Sequence, residues 1–127
     1  MPKIKALVAD DSMLMRDIIK ESLLESFPEA EIYESGNGKD VQKILLKEVV
    51  DIVLCDWEMP EMSGLDVLKW VRSTPNLNTL PFIMITGTTD KEHVVECIKS
   101  GVTDYIVKPL TPDMLCNKIS KALKIKA

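Results

Sequence analysis

The chain predicts a doubly wound α/β domain: five strands in one parallel sheet, each followed by a helix, with helices on both faces. Three observations predict it. Short apolar, β-branched runs alternate five times with segments of helical spacing. Three of those runs, Ala6-Leu7-Val8-Ala9, Ile52-Val53-Leu54 and Phe82-Ile83-Met84-Ile85, are apolar without clean alternation, as strands are when both faces are covered. The length of 127 residues holds one such domain and not two.

Taken in order, the first strand runs from Ile4 to Ala9. A helix follows it, capped by Ser12 and turning Met15, Ile18, Ile19 and Leu23 to one side. The second strand is Glu31 to Glu34, and its helix starts after Asn37-Gly38 with Val41, Ile44 and Leu45 inward. The third strand is Ile52 to Cys55; its helix follows Ser63-Gly64 and directs Leu65, Leu68 and Val71 at the core. The fourth strand is Phe82 to Ile85, and the helix after Asp90 directs Val94, Val95 and Ile98 inward and stops at Gly101. The fifth strand is Tyr105 to Val107. Its helix opens on Thr111-Pro112, a cap with proline at the first helical position, and carries Leu115, Ile119 and Leu123. Strands alternating with helices imply parallel pairing, with each crossover right-handed.

Composition narrows the function. Sixteen basic against 20 acidic side chains leave a net charge of −4, which argues against a nucleic-acid binder and its basic stripe. No apolar run approaches the ~18 residues of a membrane span. The opening MPKIKALVADDS puts acids where a signal peptide needs small neutral residues. The three cysteines, Cys55, Cys97 and Cys116, form no CxxC pair and suit reduced thiols. A cytoplasmic location with no nucleic-acid or membrane partner is the expectation.

In an open parallel sheet, ligands bind beyond the carboxyl ends of the strands. Those ends carry Asp10-Asp11, then Asp56 followed by Trp57-Glu58-Met59-Pro60, then Thr86-Gly87, then Lys108-Pro109. Three carboxylates held together repel one another and call for a cation. An all-oxygen set suits a hard divalent ion, Mg²⁺ or alternatively Mn²⁺. A carboxylate beside such an ion can attack phosphorus and form an acyl phosphate. Thr86 could then hydrogen-bond the phosphoryl oxygens, and Lys108 could neutralise them. Singly, each piece has an ordinary explanation as a capping turn or loop residue; their joint placement at four strand ends is what points to a site.

That constellation resembles the receiver domain of bacterial two-component signalling, the CheY-like response regulators. The resemblance runs from Lys3 to Lys124 and rests on LVADDS, LCDWEMPEMSGLDVL, PFIMITG and GVTDYIVKPL. It implies the strand order 2-1-3-4-5 known for that family. It also implies phosphorylation of Asp56 by a sensor histidine kinase. Asp11, Asp56 and the Glu58 carbonyl would ligate Mg²⁺ directly, and Asp10 through water. Thr86 would bind and follow the phosphoryl group, Lys108 would pair with it, and Tyr105 would be an aromatic switch. The Lys108-Pro109 bond would be cis. Gly87 would keep the pocket open for a phosphodonor, and Glu58 and Thr88 would be candidates for tuning phosphoryl lifetime. The fourth helix, fifth strand and fifth helix would form the surface read by a target such as a flagellar switch or phosphotransfer protein, with Val94, Cys97, Tyr105, Leu110 and Met114 as candidates.

The expected organisation is one receiver domain over residues 1–127 without an output domain; a segment of a larger regulator or hybrid kinase would read the same. An aspartyl-phosphate hydrolase is the rival enzyme, because Glu58 stands two residues after Asp56. Such enzymes, however, carry their nucleophile on the first strand and not the third. A flavin-binding module is the other rival, and the acidic DDSMLM segment stands where it needs a Ser/Thr-rich loop. His93 reads as a surface residue, and Cys55 as a packing residue facing away from Asp56 by strand alternation.

Overall fold

The computed structural model describes residues 3–87 and 91–125. The elements follow as β1 (Lys5–Ala9), α1 (Met13–Ser26), β2 (Glu31–Ser35), α2 (Gly38–Lys47) and β3 (Ile52–Asp56), then α3 (Gly64–Ser73), β4 (Phe82–Thr86), α4 (Lys91–Lys99), β5 (Asp104–Val107) and α5 (Pro112–Leu123). All neighbouring strands pair in parallel, in the order β2-β1-β3-β4-β5. Both expectations, the five βα units and the order implied by the resemblance, are met.

Strand alternation divides the core in two. Ala6, Val8, Ile52, Leu54, Ile83, Ile85 and Ile106 face one side, where Ile19 and Leu23 of α1 and Leu115 and Ile119 of α5 cover them. Leu7, Ala9, Val53, Cys55, Phe82 and Met84 face the other, under Val41 of α2, Val67, Leu68 and Val71 of α3, and Cys97 of α4. The central strands are buried on both faces, and this is why they read as unbroken apolar runs. Four helices start on side-chain caps. Ser12 accepts from the Met15 N–H, Asn37 from Asp40, Ser63 from Asp66 and Thr111 from Met114, at 3.2, 2.8, 3.1 and 3.2 Å. Each cap contributes about 1 kcal/mol. Because each helix begins near the carboxyl edge of the sheet, these caps also fix the loops that carry the acids.

Two helices sit differently from their periodicity. Ile18 is 39% exposed, and α1 buries Ile19, Ser22 and Leu23 instead. Position 18 lies about 100° round the helix from position 19 and falls off the buried strip. In α4, Val95 and Ile98 are 38% and 62% exposed, while Cys97 is buried and Val94 half-buried. The inward line of α4 therefore passes through His93, Val94 and Cys97, and the His93 ring meets Trp57 of the β3–α3 loop. Cys97 is consequently core and not part of a reader surface. Thr88 and Asp90, named from the sequence, lie outside the described residues.

Candidate functional site

The carboxyl edge gathers residues from four strand ends, two of them from β1. Asp10 follows β1 and is almost fully buried, with 1% of its surface exposed. Its Oδ1 accepts from the Ser12 N–H at 2.9 Å and its own N–H donates to the Ser35 carbonyl at 3.0 Å, so the turn holds its side chain in place. Asp56 is the last residue of β3 and is buried, with 8% exposed. Asp11, next to Asp10, is exposed. One carboxylate oxygen from each of Asp10, Asp11 and Asp56 lies within 4.8 Å of the other two. Lys108 follows β5 and reaches back into this group, with Nζ 3.2 Å from both Asp10 Oδ2 and Asp56 Oδ1. Thr86 ends β4 and is buried beside them.

The electrostatics follow from that crowding. Burial pushes the Asp56 carboxyl above the usual carboxylate range, and the Asp10 charge adds to it; the pull of Lys108 only partly offsets them. For Lys108, burial works against its charge, but Asp56 and Asp10 outweigh it and hold the ammonium above its ordinary value. One cation thus faces three acids. The surplus negative charge and the all-oxygen donor set fit a hard divalent ion.

Backbone packing sets the position of Asp56. The Gly64 N–H donates to the Trp57 carbonyl at 2.8 Å, and the Trp57 N–H donates to the Ile85 carbonyl at 3.3 Å. At Gly64, a Cβ would overlap the backbone carbonyl of Asp56, so only glycine lets α3 start this close to the end of β3. Cys55 faces away as expected; its Sγ donates to the Asp56 carbonyl at 3.4 Å. Burial, with the charges of Asp56 and Asp10, pushes its thiol up and makes it a packing residue rather than a nucleophile.

Asp56, Trp57, Glu58, Thr86, Gly87 and Lys108 line a cleft of ≈330 Å³. Glu58 is exposed on it, and a Cβ at Gly87 would meet nothing within 4 Å. A larger concavity of ≈440 Å³ lies at the opposite edge, among Leu45, Val49, Leu77 and Pro81. It gathers no comparable set of acids, so the smaller cleft is the candidate site. Tyr105 is half-buried against the α3–α4 side of the core, in register with Met84. The Lys108-Pro109 peptide is cis.

Two residues near this edge escaped the sequence reading. His93 is half-buried and not a plain surface residue: its ring centroid lies 4.5 Å from that of Trp57. Its Nδ1 is the one buried side-chain N or O atom without a hydrogen-bond partner among the described residues. Arg16, one turn into α1, donates from Nη1 to the Asp10 carbonyl at 2.7 Å. Its place four residues after the Ser12 cap was the available signal, since that turn of the helix lies at the carboxyl edge.

A doubly wound sheet of this order, with an acid cluster and a lysine at its switch edge, defines a CheY-like receiver fold. The comparisons agree: residues 6–120 match the response regulator receiver domain, and the chain belongs to that family. It is 40% identical over 120 residues to a chemotaxis protein CheY homologue of Campylobacter jejuni, covering 94% of this chain and 92% of that one. It is 41% identical to chemotaxis protein CheY1 of Helicobacter pylori, covering 94% and 96%. The solved structure of the chemotaxis response regulator CheY4 of Vibrio cholerae superposes with a TM-score of 0.87 at 27% identity, covering 96% of this chain and all of that one. No described helix is long and apolar enough to cross a membrane.

Proposed function

We propose that Asp56 accepts a phosphoryl group from a phosphohistidine of a sensor histidine kinase, and that the resulting acyl phosphate switches the surface of α4, β5 and α5 toward a downstream protein. The observation that carries this reading is the shared contact of Lys108 with Asp10 and Asp56 inside a cluster of three acids. Asp11, Asp56 and the carbonyl of Glu58 would hold Mg²⁺ directly, and Asp10 through water. When bound, the ion neutralises the acids and the charge of the transferring phosphoryl group.

In the transfer, a carboxylate oxygen of Asp56 attacks phosphorus. The phosphorus–nitrogen bond of the donor breaks, and the imidazole leaves with the electron pair and takes up a proton. Lys108, already 3.2 Å from Asp56, follows the charge onto a phosphoryl oxygen. The Thr86 hydroxyl donates to another. Gly87 leaves the cleft open for the donor, and Glu58 at its mouth governs water access and so the lifetime of the acyl phosphate; Thr88 has the same assigned part. The product adds about −1.5 to −2 charge. A complete switch between two states, from 1:99 to 99:1, needs ~5.5 kcal/mol of differential stabilisation. Contacts of the charged phosphoryl group with the ion, Lys108 and Thr86 would supply much of it, with Tyr105 filling the space Thr86 leaves. The kinship with chemotaxis proteins favours a flagellar switch or a phosphotransfer protein as the target, in the cytoplasm.

The test is incubation with a small acyl phosphate and Mg²⁺, read by intact mass. The wild-type chain gains one phosphoryl group and Asp56→Asn gains none. Equal uptake by Asp56→Asn removes Asp56 as the acceptor.

A further inference from the structure

Asp10 owes its position to more than its own turn. Arg16 reaches from α1 and donates through Nη1 to the Asp10 carbonyl at 2.7 Å, while its Nε donates to Glu34 Oε1 at 3.2 Å. The two bonds tie the β1–α1 loop to the end of β2. Glu34 is itself held by Lys20, whose Nζ lies 2.9 Å from Oε2, and this contact together with Arg16 keeps its carboxyl below the usual range. A Cβ at Gly36 would lie 3.4 Å from Arg16 Nη1 and 3.9 Å from the Asp10 carbonyl. The backbone of the β2–α2 loop therefore closes over the guanidinium. Arg16 is half-buried, in contrast to a mobile surface cation.

We propose that Arg16 is a positioning residue for the divalent-ion site: clamped by Glu34, its guanidinium holds the Asp10 carbonyl and so sets where the Asp10 and Asp11 carboxylates stand. The inference rests on the proposed function only in taking those acids as the ion's ligands. Groups that orient metal ligands typically contribute 10–100-fold to affinity. The planar fork matters, because one nitrogen serves the carboxylate while another serves the carbonyl; a lysine ammonium on its flexible stem does not reproduce that geometry.

Simple charge makes the opposite prediction. Arg16 is a cation near a cation site, so its removal should tighten ion binding if repulsion were its only effect. Positioning predicts that binding weakens. The experiment is a titration with Mn²⁺, following the free-ion EPR signal, on wild type, Arg16→Ala, Arg16→Lys and Lys20→Ala, with thermal melts of each. Arg16→Ala and Arg16→Lys should both bind about tenfold more weakly. Lys20→Ala, which breaks the outer contacts to Glu34 and Asp17 and leaves Arg16 in place, should stay within about twofold. Arg16→Lys keeps the charge and the stem, and it carries the test should Arg16→Ala fold poorly. Unchanged or tighter binding in the folded Arg16 variants overturns the proposal. A wild-type chain that takes up no Mn²⁺ would instead overturn the proposed function and this inference with it.

Discussion

Lys108 and Arg72 are partly buried cations at opposite edges of the same sheet, and they are satisfied in opposite ways. Arg72, near the end of α3, donates to neutral acceptors: the Gly101 carbonyl at 2.8 Å, the Leu80 carbonyl at 2.7 Å and Thr103 Oγ1 at 3.3 Å. Thr103 Oγ1 in turn accepts from the Phe82 N–H at 2.9 Å. Burial therefore lowers the Arg72 pKa. Gly101 adopts a positive φ of 89°, and a Cβ there would meet Arg72 Nε at 3.3 Å; the turn before β5 is shaped around the arginine. At the other edge, burial also opposes the charge of Lys108, but the neighbouring acids overcome it. At one edge the cation is met by neutral acceptors. The other keeps more negative charge than its lysine can balance, and the proposed phosphoryl transfer rests on that surplus.

Lys108→Ala should have the largest effect. Loss of a charge placed at the transferring group should slow phosphoryl uptake on the order of 10²-fold. A rate within a few-fold of wild type would remove Lys108 from the reaction. Arg72→Ala should behave inversely. Leaving carbonyls without their donor costs roughly 2 kcal/mol, which lowers the melting temperature by about 6–8 °C for a domain of this size. Phosphoryl uptake per folded molecule should stay unchanged. A variant that melts normally but fails to take up phosphoryl groups would mean that the two edges are not separable.

The smallest effect is expected from pH. Asp56 has a pKa raised by burial and by the Asp10 charge, so the folded chain holds that proton more tightly than the unfolded one. Folding stability then falls as pH rises from the unfolded pKa through the folded one, and the ionised Asp56 carries a penalty at neutral pH. In buffer free of divalent ions, Asp56→Asn should therefore melt a few degrees higher than wild type near neutrality. The gain should shrink on acidification and vanish below about pH 4, where both states are protonated. Thermal melts across that range measure it; a variant that melts lower at neutral pH would show that Lys108 more than offsets the crowding of the acids.

Much of this molecule was legible before folding. Ser12, Asn37, Ser63 and Thr111 all cap their helices, because a cap is a contact between neighbours in sequence. The strand runs, the facing of Cys55 and the arrival of Asp10, Asp56, Thr86 and Lys108 at one edge follow from strand period and parallel topology. Some strand limits moved by a residue, with Asp56 inside β3 and not after it. The inward face of α4 was not legible. Apolar residues at 94, 95, 97 and 98 surround more than one side of a nine-residue helix, and periodicity does not choose between sides.

The elements, their order and the residue types that reach the carboxyl edge are written in the chain, since these depend on local propensity and on periods of two and 3.6 residues. Only the tertiary structure decided that Lys108 meets Asp10 across 98 positions, that Gly64 lies against the Asp56 carbonyl, and that Arg16 and His93 belong to the surroundings of the site. Those contacts join segments remote in the chain. Their geometry is set by how helices settle on a sheet, a balance of packing and desolvation that no local stretch of sequence contains.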